Sequence, residues 1–493
     1  MSADNLSFLT IPIDWRVPGA YIEIDHTKAV RGLPVMSHKM LIIGQRLTAG
    51  TVVAGVLTRV TRKEDGVNYF GRGSMLAQQI EAALKVNPYT ECYALALDDA
   101  GAGVAATQTI TVTGTATESG TLYLYIGGRR LTVAVTANEA VADIATAIAA
   151  AVTADADGPV TATSALGVAT LTARHKGVEG NEIDVRLNYY TGEFTPKGIT
   201  VAIAAGVTGT GNPDIASAIT AMASMNPYTI LSGLSDAANI AALETELASR
   251  WGGMDMRAGH VFAHKNDTYA NLATFGAARN SAHSTITGLK DSPTLPWVIA
   301  AQFGAAVEFA GANDPARPFR SISLPSVLAP KEADKFTDTE RNLLMHDGLS
   351  TIIFDQGGNA MVEQVLTTYQ QNSFGMEDVS LLKLNTKWTV DYMRYVFRFA
   401  VLRDFPRHKL AGDDVLPRIQ PGQPIATPKL IRNTLIAAAQ ELERAGLLED
   451  LDQFIKDLAV VRSTADVNRV NAILPPNVVN QFDVFAAAVQ FIL

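Results

Sequence analysis

One cysteine, Cys92, stands in a chain of 493 residues. An intramolecular disulfide framework is therefore excluded, and the composition fits a reducing compartment. Charge is scarce: Asp, Glu, Lys and Arg make up 18% of the chain, where about a quarter is usual. The net charge of −9 carries no basic footprint, so nucleic acid is not expected as a partner. No uninterrupted apolar run reaches the ~18 residues a membrane span needs, so no direct membrane insertion is expected. The opening "MSADNLSFLTIPID" has acids where a secretory signal has a basic start and a long apolar run, so a cytosolic site of synthesis is expected. G-x-x-x-x-G-K-[ST] is missing, with no Gly-Lys pair anywhere, which closes the P-loop route to ATP or GTP. G-x-S-x-G, H-E-x-x-H and C-x-x-C are missing too. What is plentiful is apolar residues, 47% of the chain, enough for several cores. Low charge with high Ala, Val and Thr implies surface covered by something other than water.

The pattern along the chain reads as an α/β multidomain protein. Residues 1–37 form an extended arm: in "VPGAYIEIDHTKAV", Ile22 and Ile24 alternate with Tyr21, Glu23 and Asp25, the period of a half-buried strand. Residues 38–100 alternate strand ("KMLIIGQ"), helix ("GSMLAQQIEAALKVNP", with Ser74 as N-cap and Asn87-Pro88 as stop) and strand ("TECYALALDD"), the first part of an α/β layer. Residues 101–206 change character, with 18 Thr, no Trp, short alternating runs between Gly pairs, and one helix, "EAVADIATAIAAAVTA". They read as an inserted β-rich module that sits on the outside without joining the core. Residues 207–330 return to α/β; "NPYT" recurs at 87–90 and 226–229, and if the echo is structural, the two segments are sister units of one sheet. Residues 331–481 form a C-terminal block with a helix capped at Thr/Asp in "TDTERNLLMHDGLST", a long helix stopped before Pro406, and another running through "TPKLIRNTLIAAAQELERAGLLEDLDQF". Ten bases stand against four acids from Lys383 to Arg432, and six acids against two bases from Glu441 to Asp457.

Four weak signals for chemistry remain, and each has an ordinary reading. "FGRGSML" (70–76) could hold a phosphate on backbone N–H groups, but without a lysine it reads as a capped turn. His260 and His264 lie four apart, and two imidazoles without a third ligand make a poor metal site. The Gly pair in "FDQGGNAMVEQV" lacks dinucleotide-loop spacing and reads as a tight turn. Asp413-Asp414 reads as a solvated loop. No nucleophile, base and orienting group come together. No catalytic, cofactor or metal residue is assigned, and no enzymatic activity is expected.

The architectural signals are stronger. The chain ends on "QFDVFAAAVQFIL", Gln481 to Leu493, apolar on both faces from Val484 onward. Such a strand belongs inside a sheet covered on each side. The preceding Pro475-Pro476 favours an extended linker that carries it away. An extended arm at one end and a naked strand at the other suit a chain that joins its neighbours by strand addition.

"VPGAYIEIDHTKAVRGLP…LIIGQRL", "FGRGSMLAQQIEAALKVNP", "WVIAAQFGAAVEFAGANDPARPFRSISLP" and "LMHDGLSTIIFDQGGNAMVEQVLTTYQQN" together resemble the contractile tail sheath proteins of Mu-like bacteriophages, most weakly across 101–206. The resemblance implies a structural subunit of the virion, assembled in the host cytoplasm. It would polymerise helically around the inner tail tube and contract to drive that tube through the host envelope, using energy stored at assembly. It implies a tube-proximal α/β core domain formed by the C-terminal block with the N-terminal arm, an outer α/β domain, and the inserted β-rich domain. Implied partners are copies of itself, the tail tube protein, and baseplate and tail terminator proteins. Inter-subunit strands then map to Val17, Tyr21, Ile22 and Ile24, and to Phe482, Val484, Phe485, Val489, Phe491 and Ile492 of the donated segment 482–493. A charged helix of the C-terminal block is expected to face the tube. Two other classes stay open at this point: an α/β nucleotide-binding enzyme using the Gly-rich turns, and a static surface or adhesin protein suggested by the Thr-rich module.

Overall fold

The computed structural model describes residues 16–22, 32–414 and 423–492. The chain divides into two compact units: residues Met1–Ser37 with Trp388–Leu493, and His38–Lys387. Residues 331–387, read from sequence as part of the C-terminal block, therefore pack in the large unit.

The large unit starts with β1 (Lys39–Gln45), β2 (Leu57–Val60), α1 (Lys63–Phe70), α2 (Met75–Val86) and β3 (Glu91–Leu97). Ser74 caps α2, its hydroxyl accepting from Ala77 N–H at 3.1 Å. The chain then leaves for the module: β4 (Ala105–Gly114), β5 (Gly120–Ile126), β6 (Arg129–Val135), α3 (Val141–Ala154), β7 (Val160–Ala165), β8 (Val168–Lys176), β9 (Val185–Leu187) and β10 (Ile199–Ala205). It returns through α4 (Ala216–Met222), β11 (Thr229–Ser232), α5 (Ala237–Trp251), β12 (His260–Asn266), α6 (Tyr269–Ala277), β13 (Ser284–Leu289), α7 (Pro296–Asn313), α8 (Asp338–His346), β14 (Thr351–Phe354) and β15 (Ala360–Gln364). Thr337 caps α8 and shares a capping box with Glu340.

Six strands make the main sheet in the order β13-β12-β11-β1-β3-β2, all parallel except β2 at the edge. Helices cover both faces, as a parallel sheet requires. Leu41, Ile43, Leu95 and Leu97 pack with Ile215 at the N-cap of α4, with Ala218 and Met222 of α4, and with Leu243 and Leu247 of α5. On the other face α7 presses so close that a Cβ on Gly304 would stand 2.3 Å from Leu231 Cδ2. The two "NPYT" segments do lead into sister strands, β3 and β11, which flank β1. The helices before them differ: α4 lies on the α5 face, whereas α2 packs against α7.

The module folds as two antiparallel sheets, β10-β4-β8-β7 and β6-β5-β9, with α3. The β5–β6 hairpin turns on Gly127 (φ 56°) and Gly128 (φ 79°), the left-handed pair that a two-residue turn demands. Contrary to the expectation of a peripheral module, its core is continuous with its host. Leu122, Leu124, Val133 and Ile148 share one cluster with Met75, Leu295 and Trp297. Apolar patterning shows which face of a strand is buried; it carries no information on whose side chains bury it.

The boundary between the units falls within α9 (Leu384–Asp404). The small unit continues with β16 (Lys409–Leu410), β17 (Ile425–Ala426), α10 (Pro428–Arg444), β18 (Leu448–Glu449), α11 (Leu451–Asp457), β19 (Ala459–Arg462), β20 (Val470–Ile473) and β21 (Asn477–Val478). Sequence predicted one helix through residues 427–454. Two form, because the chain breaks at Gly446 (φ 71°), and Asp450 starts α11 by accepting from Gln453 N–H. Val396, Phe397, Leu435, Leu442 and Phe454 are buried here, with the Phe397 and Phe454 rings stacked at 5.7 Å. Among the described residues no helix is long and apolar enough to cross a membrane.

Candidate assembly site

The small unit holds the terminal segments. β21 pairs antiparallel with β18, and Val479 N–H donates to Leu447 C=O at 3.1 Å. Beyond that point the described chain enters no ladder. Its apolar side chains stand in solvent: Phe482 is 66% exposed, Val484 80%, Val489 90% and Ile492 99%, and Phe485 and Phe491 are likewise exposed. Six apolar side chains so exposed in a dozen residues are not explained by the fold of one chain. At the other end, Val17, Tyr21 and Ile22 are exposed and unladdered, and Tyr21 OH donates to Val17 C=O at 3.3 Å. Ile24 and Leu493 lie outside the described residues. Residues 34–35 are fastened to α9, where Tyr392 OH donates to Pro34 C=O at 3.0 Å and Tyr395 OH to Val35 C=O at 3.2 Å.

Sequence reasoning missed the hairpin β19–β20. Its register runs Ala459↔Ile473 to Arg462↔Val470, and neither strand has a further ladder partner among the described residues. Val461 and Ile473 are exposed, while Val460 and Val470 are partly covered. Both edges are therefore open to an added strand. The run "LAVVRS" before "VNAIL" was the available signal, hidden because each strand is only four residues long.

The basic block partly dissolves in the fold. Lys387 is buried and donates to Gly259 C=O at 3.0 Å, Arg394 meets Asp391 at 3.4 Å, Arg403 meets Asp404 at 2.7 Å, and Arg432 donates to the carbonyls of Ile455 and Leu458. Arg398, Arg403, Arg407, Lys409 and Lys429 remain exposed.

The four weak chemical signals take ordinary structural roles. His260 and His264 both lie on β12, buried, and meet Thr285 Oγ1 (2.8 Å) and Thr287 Oγ1 (2.7 Å). Burial holds His264 down to about 4 and lowers His260 as well. No group of three metal-type ligands occurs among the described residues. Gly357-Gly358 turns β14 into β15, with Asp355 accepting from Gly357 and Asn359 N–H. Asp413 accepts from Lys429 N–H in the first turn of α10.

"FGRGSML" is a capped turn in which Gly71 N–H donates to Val67 C=O, Ser74 N–H to Gly71 C=O and Met75 N–H to a histidine of the module. In doubly wound sheets ligands sit outside the carboxyl ends of the strands, at helix N-termini. Here the module fills that place. His175 Nε2 accepts from Met75 N–H at the start of α2 (3.0 Å), and its Nδ1 lies 3.1 Å from Asp99, which also takes Gln45 Nε2 and Lys176 N–H. Burial pushes Asp99 up, but these donors outweigh it and hold the carboxyl below its ordinary value. Glu179 accepts from Ser235 N–H just after β11 (2.8 Å), and Glu182 from Asn266 N–H at the end of β12 (3.1 Å).

The fold thus has a doubly wound sheet whose crevice its own module fills, and a small unit with exposed apolar end segments and an open hairpin. Three family models match the chain in order: the phage tail sheath protein beta-sandwich domain over residues 101–203, the phage tail sheath protein central domain over 208–368, and the phage tail sheath C-terminal domain over 377–492. The chain is 40% identical over 489 residues to the Mu-like prophage FluMu tail sheath protein of Haemophilus influenzae, an alignment covering 99% of this chain and 100% of that one. The chain belongs to the phage tail sheath protein family and is a structural subunit of a phage tail sheath, hence a component of the virion tail. Solved structures resemble it at lower identity. A sheath tail protein from Desulfitobacterium hafniense is 13% identical with a TM-score of 0.49, covering 94% of this chain and 97% of that one. The helical sheath of the anti-feeding prophage in its contracted state is 10% identical with a TM-score of 0.46, covering 97% and 99%.

Proposed function

We propose that this subunit polymerises helically around the inner tail tube through exchanged strands. The observation that carries this reading is the apolar segment 482–492, exposed and unladdered in the same unit as a hairpin with two open edges. Segment 482–493 of one copy adds to β19–β20 of a neighbour. The N-terminal segment around Val17, Tyr21, Ile22 and Ile24 serves a second neighbour. Main-chain hydrogen bonds give strength and the alternating side chains give register. Two exchanged strands per subunit knit a mesh that stays connected while subunits rotate.

The small unit, with the N-terminal arm, is the tube-proximal domain. Residues 38–100 and 207–330 form the outer α/β domain, with 101–206 inserted in it. The exposed cations of α9 and the α10 start are the tube-facing surface. Baseplate and terminator proteins hold the two ends, assembly takes place in the host cytoplasm, and contraction draws on interface energy stored then. Nucleotide chemistry has no part in this reading, and the module's own side chains in the sheet's crevice support that. Negative-stain microscopy of the expressed protein tests the proposal: tubes with a central channel are expected, and a monodisperse monomer at every concentration would overturn it.

A further inference from the structure

The seat of the module on the main sheet holds more acid than base. Around Glu179 and Glu182, which share one turn, stand Asn212 from the segment before α4, Ser235 and Asp236 from the β11–α5 loop with Asn239 of α5 behind them, and Lys265, Asn266 and Asp267 from the end of β12. Lys265 reaches Glu182 (3.4 Å) and Asp267 (4.0 Å), but forms no ion pair with Glu179. Asp236 is committed as the cap of α5, accepting from Asn239 N–H, and it also takes Asn212 Nδ2. Glu179 is 2% exposed. Its Oε1 accepts from Ser235 N–H, and its Oε2 lies 3.2 Å from Ser235 Oγ. An ionised carboxyl here is buried among acids without a cation of its own. A protonated one fits, because Oε2–H donates to the Ser235 hydroxyl while Oε1 keeps the backbone N–H.

We propose that a proton held on Glu179 is part of the docking of this module, so that its seat on the sheet loosens as the proton is lost. Burial first, then the neighbouring Glu182, push the Glu179 carboxyl up to about 8, against an ordinary glutamate near ~4.3 once exposed. The sign follows from linkage: the docked form binds the proton more tightly, so docking is firmest below ~pH 4.5, weakens up to tenfold per pH unit as pH rises toward 8, and is level above that.

Amide hydrogen exchange of the full-length chain between pH 5 and 9, corrected for the chemical exchange rate, reads this in peptides spanning residues 172–187 and 230–240. Protection should fall by up to about tenfold per pH unit and flatten near pH 8, while Glu179→Gln should make the decline markedly shallower, leaving the part that the buried Glu182 contributes. Constant protection in the parent protein, or an unchanged slope in Glu179→Gln, overturns the proposal. Should Glu179→Gln fail to fold, Glu182→Gln removes the neighbouring charge and should end the decline below pH 8; an unmoved end point overturns it equally.

Discussion

Val489→Asp separates a donated strand from an internal one. Val489 is 90% exposed in the subunit, so the substitution should leave monomer stability within about 0.5 kcal/mol of the parent. In a sheet covered on both faces the same change forfeits the burial of a valine, about 1.5–3 kcal/mol. It also sets a carboxyl into that interface, adding at least ~2 kcal/mol. Both chains pay the same ordering entropy, so the difference survives as ~4 kcal/mol per subunit, close to a thousandfold in association. Pelleting across a concentration series, with microscopy of the pellet, should place the onset of sheath formation about a thousandfold higher than in the parent. Thermal melting of the unassembled variant should coincide with the parent's. Sheath formation at the parent's concentration would refute donation of this strand, and a melting point lowered by several degrees would show that the strand is internal.

Three further outcomes follow from the same structure. Trp297→Ala removes a buried ring that packs in the shared core and donates to Gln78 Oε1 at 2.8 Å; urea unfolding of the full chain should show a loss of about 3–5 kcal/mol, where a truly peripheral module would show little. His264 is neutral in the fold, and burial, partly offset by Asn266, holds it at about 4; the unfolded chain takes up the proton first, so stability should fall from ~pH 6.5 down to about 4 and level off below, a decline that His264→Gln should reduce when melting is followed by circular dichroism. Purified tails should contract in nucleotide-free buffer on a mild denaturant trigger, as scored by microscopy; contraction only after ATP or GTP is added would defeat the stored-energy account.

Where local chemistry decides, the sequence was readable. Ser74 and Thr337 cap α2 and α8, Pro428 begins α10, and Gly127-Gly128 turns β5 into β6, because caps and turns are contacts within a few residues. Membership of the sheath family and the unpartnered character of Val484–Ile492 were legible for a related reason: order of motifs and patterning of apolar side chains both survive in one dimension. Segment pairing is another matter. The seating of residues 175–182 on strands β1, β11 and β12, the sharing of Met75 and Trp297 between module and host, and the division of α9 at Lys387 are contacts between residues far apart in the chain. Each segment's pattern required only that some apolar or polar partner be supplied. Which partner arrived was decided by the order in which the sheet winds, and that order leaves the carboxyl ends of its strands facing the module inserted after β3.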